Sequence, residues 1–217
     1  MRGEMDFMGD DTDQARYFDD LAGAEDAEDA EDARLLGRLD DVVTGGTGNG
    51  CVPALRGVNL GIRPGSFLAV MGGPASGKAT LARCLTGDVR PVSGTVWWAE
   101  GCSGRVLVGS GPEPDGSAIV ARAWRETLME ALAEEPDLLV VDQPVSLGDG
   151  GERERAVALR EMVTERGLAV VMVTGDAVVA AQADVVLFLK DGRIVDALAG
   201  AAPGRIAACG ARVGVRD

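Results

Sequence analysis

The chain has 217 residues, 46% of them hydrophobic but only 4% aromatic, and a formal net charge of −14. That composition supports one aliphatic core with appendages, and the absence of histidine excludes Ser-His and Cys-His hydrolysis and every His-ligated metal site. The charge is uneven: residues 1–41 hold 15 acids and 4 bases, a net of −11, and the remaining −3 leaves a nearly neutral globular part with no face for nucleic acid. Cys51, Cys84, Cys102 and Cys209 lie far apart without metal-like spacing and read as ordinary reduced thiols of a cytoplasmic protein. The acidic N-terminus lacks the apolar segment of a secretory leader. The most apolar region, Leu168 to Leu189, is broken by Gly175, Asp176 and Asp184, short of the roughly 18 apolar residues a membrane span needs. A membrane role would be peripheral.

In chain order, residues 1–34 form an acidic arm. Its repeat AEDAEDAEDA, Ala24 to Ala33, has no apolar stripe, and like charges at i and i+3 or i+4 repel, so disorder or a frayed, solvated helix is expected. Residues 35–200 form the globular domain, and 201–217 a tail. Leu35 to Val43 reads as a strand, GGTGNG (Gly45 to Gly50) as a flexible turn, and Ala54 to Ile62 as a second strand. Ser66 to Val70 is the strand entering MGGPASGKATL, Met71 to Leu81, and Lys78 to Leu85 is a helix. A turn, Pro91 to Gly94, precedes a strand, Thr95 to Trp98, in which Trp97 and Trp98 form an inward and outward pair at a sheet edge. Arg105 to Val108 is a strand, Gly109 to Ser117 a loop, and Ala118 to Glu135 a helix. Two uninterrupted apolar runs, Asp137 to Asp142 and Leu168 to Thr174, read as buried parallel strands flanking a charged helix, Glu152 to Arg166. A short helix, Ala177 to Gln182, a strand, Val185 to Leu189, and a tight Asp191-Gly192 hairpin into Ile194 to Ala197 complete the pattern. The sum is an α/β fold, a mainly parallel sheet with helices on both faces and an N-terminal antiparallel β portion, and it is P-loop NTPase-like if Met71 to Leu81, with Gly72, Gly77 and Lys78, is a phosphate loop.

Gly72, Gly77 and Lys78 fit the phosphate-binding pattern Gly-x-x-x-x-Gly-Lys-Ser/Thr, and Gly73, Ser76 and Thr80 complete the candidate cradle. Such a loop holds phosphates with backbone N–H groups and the positive end of a helix, while the lysine neutralises them. The residue after the lysine normally offers a hydroxyl to Mg²⁺, and here it is Ala79.

Three blocks in the same order carry a family resemblance: ALRGVNLGIRPGSFLAVMGGPASGKATLARCLTGDVRPVSGTVWW, EEPDLLVVDQPVSLGD and ADVVLFLKDGRIVD. From about Leu39 to Gly200 the chain resembles an ABC transporter nucleotide-binding domain of the lipoprotein and macrolide exporter branch. The resemblance implies ATP as ligand, and it also marks departures. The adenine-stacking aromatic falls near Gly45, where no ring exists, and an inner glycine of the loop is Ala75. If that position needs a positive φ, alanine there costs about 1 kcal/mol. No glutamine follows Val108; Gly109 and Ser110 stand there. Only 63 residues separate Lys78 from Asp142, a far shorter interval than the family's, so the helical subdomain with its signature motif is missing and SAIVA, Ser117 to Ala121, stands in the motif's place. Asp142 matches the aspartate that supports Mg²⁺ through water, though at a strand end it would equally cap the following turn. Gln143 occupies the general-base position, and an amide there forgoes a contribution of roughly 10²–10⁴. Ser146 and Asp149 keep the frame of the next loop, and Gly175 replaces the switch histidine beside an intact Asp176.

These residues imply a degenerate ABC-type domain that binds ATP weakly, hydrolyses it little or not at all, and gains little from Mg²⁺. Two alternatives stay open: an ATP-binding exporter subunit working with an intact ABC partner and a membrane permease, or an interaction module in which only the fold persists. The expected location is the cytoplasm, at the inner face of the membrane if a permease is engaged.

Overall fold

The computed structural model describes residues 35–45, 52–102, 104–109, 118–142 and 151–215. Expectations for the acidic arm, for most of GGTGNG, and for Gln143, Ser146 and Asp149 therefore lie outside the described residues.

Two sheets organise the described chain. In the smaller, β1 (Gly37–Val43) pairs antiparallel with β2 (Arg56–Ile62) on one side and β4 (Ser93–Trp98) on the other. β1 carries a bulge where Asp41 sits at φ 46, and Gly94 at φ 82 passes close to the Asp40 and Asp41 carbonyls. Gly94 is thus part of the strand, and β4 starts at Ser93 instead of Thr95. Trp98 packs on the core and Trp97 is exposed, as alternation along an edge strand dictates.

The larger sheet has six strands in the order β5-β6-β7-β3-β8-β9. β5 (Arg105–Gly109), β6 (Leu138–Asp142), β7 (Ala169–Val173), β3 (Phe67–Met71) and β8 (Val185–Lys190) run parallel, and β9 (Arg193–Ala199) returns antiparallel. β3 and β7 are buried at every position, which is why both read as continuous apolar runs. On β3 the alternation assigns Phe67, Ala69 and Met71 to one core and Leu68 and Val70 to another.

The first core lies under α2 (Ala118–Ala133), α3 (Gly151–Arg166), the short α4 (Ala177–Ala180) and α5 (Pro203–Val213). The second lies between the large sheet, α1 (Lys78–Thr86) and the antiparallel sheet. Helices thus cover both faces, and the N-terminal β portion is antiparallel. α4 stops at Ala180, two residues before the expected Gln182, in a turn through Ala181 and Gln182. α5 lies in the expected tail: Pro203 opens it, where a missing N–H does no harm, and Ile206 and Cys209 are buried. No helix among the described residues is long and apolar enough to cross a membrane.

Candidate functional site

β3 delivers the chain at Met71 into a six-residue loop, and α1 begins at Lys78. Two glycines are dictated by neighbours. A Cβ on Gly77, at φ 106, would stand 2.5 Å from the Ala54 carbonyl oxygen, and one on Gly72 would strike the Leu189 carbonyl. The loop is held from behind by the β8–β9 turn, where the Gly192 N–H donates to the Ser76 carbonyl at 2.9 Å. Ala75 adopts φ 58, so the inner glycine position of this loop is indeed left-handed. With Gly77 also left-handed, Ser76 sits between two such residues, a backbone shape that turns N–H groups toward an anion. The cradle has a gap that the sequence already contained but motif matching overlooks: Pro74 has no N–H to offer. The Ser76 N–H is also engaged, donating to the Gly73 carbonyl at 3.3 Å.

Lys78 is turned back on its own loop. Its ammonium donates to the Gly72 carbonyl at 2.5 Å, the Gly73 carbonyl at 2.7 Å and Ser76 Oγ at 3.3 Å. Burial pushes the lysine below its ordinary pKa, partly opposed by the Asp142 carboxylate. Asp142 closes β6, in register with Gly109 of β5 and Val173 of β7. Burial lifts its pKa above the ordinary carboxylate value, against the charges of Lys78 and Arg83. Lys78 and Asp142 therefore face each other's field across a partly dry gap in which each is harder to ionise.

The other positions singled out in the sequence cluster at the same sheet edge, at the carboxyl ends of the parallel strands, where open α/β sheets bind ligands. Gly109 ends β5, Asp142 ends β6, and Gly175 follows β7. At Gly109 and Gly175 a Cβ would meet no atom of the described residues within 4 Å. Asp176 has a structural role: its carboxylate accepts the N–H groups of Val178 (2.6 Å) and Val179 (3.0 Å), capping α4. Thr174 is buried, and its Oγ1 accepts the Asp176 N–H at 3.1 Å. Gly45 carries no ring, and the side chain nearest a Cβ there would be exposed Val92.

These residues do not fit a magnesium ion. Ala79 presents an exposed methyl group where a hydroxyl ligand would be needed, and the Asp142 carboxylate is one that burial pushes toward its neutral form. They fit a phosphate better: Lys78 supplies the charge, and Gly77 with the first turn of α1 supplies the backbone N–H groups and the dipole.

A family model described as ABC transporter matches residues 55–105, the stretch from β2 through the loop to β5. Among curated proteins, the aliphatic sulfonates import ATP-binding protein SsuB 3 of Nocardia farcinica is 33% identical over 180 residues, covering 65% of this chain and 73% of that one. The energy-coupling factor transporter ATP-binding protein EcfA of Syntrophomonas wolfei is 27% identical, covering 66% and 73%. The pyoverdine export ATP-binding/permease protein PvdT of Pseudomonas entomophila is 24% identical over 73% of this chain and 33% of its own. Import and export proteins thus both appear, with import proteins first, whereas the sequence blocks point to exporters. Among solved structures, a nucleotide-free ATP-binding cassette from an ABC transporter superimposes with a TM-score of 0.64 at 18% identity, over 83% of this chain and 97% of that one. A dimeric cassette in a post-hydrolysis state with ADP and Pi gives 0.60 at 20% identity, over 76% and 99%.

Proposed function

The chain belongs to the family of ABC transporter ATP-binding proteins, and on that premise we propose that it is a degenerate member, one that holds ATP weakly by its phosphates and turns it over little or not at all. One observation supports the reading: the loop keeps Lys78 and its left-handed turn, while Ala79, Gln143 and Gly175 stand where the family resemblance implies a metal ligand, a general base and a switch histidine. In the bound state Lys78 swings from the Gly72 and Gly73 carbonyls to a phosphate oxygen, and the Gly77–Thr80 backbone meets the phosphates at the helix end. Gln143 orients a water but takes no proton from it, and Gly175 contributes no side chain.

The reading places the protein at the cytoplasmic face of a membrane, against a permease or an intact ABC subunit. That the first relatives are import ATP-binding subunits favours a place in a transport complex over a free-standing interaction module.

Titration with a fluorescent ATP analogue tests it. Binding is expected at high micromolar to millimolar nucleotide, lost in Lys78→Ala, and little changed by Mg²⁺. No binding, or binding indifferent to Lys78, would leave only the interaction module; a large gain from Mg²⁺ would refute the account of Ala79.

A further inference from the structure

The end of α5 meets the phosphate loop in a contact that none of the roles above uses. The helix is fixed on the core by Ile206 and Cys209, and on β9 by Asp196, which accepts the Cys209 thiol at 3.0 Å and pairs with Arg212 at 3.6 Å. It terminates at Gly214, φ 94, where the N–H groups of Gly214 and Val215 both donate to the Gly210 carbonyl at 2.9 Å. Val215 packs back on Gly210 and the core, and the Gly214 carbonyl is thereby aimed at Gly73: a Cβ on Gly73 would lie 2.7 Å from its oxygen. Gly73 is the residue whose own carbonyl receives Lys78 and the Ser76 N–H. Backbone thus meets backbone at a closeness that a side chain at position 73 would not allow, while Gly214 is required by its φ of 94.

The electrostatics of this contact oppose a phosphate. A helix C-terminus presents carbonyl oxygens with partial negative charge, which repels an anion and favours the ammonium in its inward position. We propose that the Gly214–Val215 turn is an autoinhibitory latch, which holds the phosphate loop in its lysine-inward form so that a nucleotide must displace it to bind. The affinity consequence rests on the loop being a nucleotide cradle; the latch itself does not.

Two variants test it: Val215→Ser, which loosens the turn at full chain length, and a chain ending at Val213. Far-UV spectra matching the full chain establish that both are folded. Amide hydrogen exchange over residues 72–78 and titration with the fluorescent ATP analogue are then read for all three. Exchange faster by roughly fivefold or more, the lower end of ordinary coupling, with a matching gain in affinity, is expected in both variants. Unchanged exchange overturns the latch whether or not nucleotide binds, and faster exchange at constant affinity overturns it as well. Faster exchange with no nucleotide bound by any form upholds the latch and overturns the cradle instead.

Discussion

Ala75 holds a backbone shape that favours glycine. At φ 58 its Cβ crowds the following carbonyl, a strain of about 1–2 kcal/mol that glycine would not carry. Ala75→Gly should therefore raise stability by about 0.5–1 kcal/mol, after the extra chain entropy of glycine is subtracted, and lift the melting temperature by about 1–4 °C. A fall in melting temperature would mean the loop has rebuilt itself around the alanine. Asp142 offers a test with a pH signature. Its folded pKa is raised, so it contributes stability that is fully present below the ordinary carboxylate pKa of about 3.9 and is lost as pH rises through the folded value. Asp142→Asn should melt like the parent in acid and higher than the parent at neutral pH. Equal melting at both pH values would refute the burial account of this carboxyl.

At the scale of elements, the turn from β7 into α4 separates what the fold needs from what catalysis would need. Asp176 caps α4 with two hydrogen bonds, and Asp176→Ala should cost about 1 kcal/mol in thermal denaturation without touching the loop. The neighbouring Gly175 has open space beyond its Cα, so Gly175→His should leave stability within about 0.5 kcal/mol. A marked destabilisation there would show that the position had closed over. Asp176 thus has a structural role that Gly175 lacks: its side chain caps a helix. β3, β6 and β7 were legible in the sequence because burial on both faces writes them as unbroken apolar runs. α5 was not, because Gly204 and Gly210 dilute its pattern and its apolar stripe reduces to Ile206 and Cys209. The contacts that shape the site were equally hidden. Leu189, Ala54 and Gly214 act through backbone carbonyls, and a carbonyl leaves no trace in residue identity.

For the whole molecule, the residues that differ from those the family resemblance implies fall at one sheet edge, away from the two cores. Ala79 is exposed in the first turn of α1, and Gly109 and Gly175 lie at the ends of strands where a Cβ would meet no atom of the described residues within 4 Å. Restoring one of them should not restore turnover. No hydrolysis above background is expected for the purified chain, nor for Gln143→Glu, because the remaining groups would still be missing; steady-state turnover abolished by Lys78→Ala would overturn this.

The two cores meet on β3, whose alternate side chains serve one on each face, and the phosphate loop is the direct continuation of that strand. Its glycines answer to Leu189 and Ala54 whether or not a nucleotide ever arrives. A chain drifting free of its chemistry would therefore go on spelling much of the motif, as masonry keeps an arch after the door is gone. In this chain the Gly72 and Gly77 positions are fixed by neighbouring carbonyls, so they report the architecture before they report a ligand.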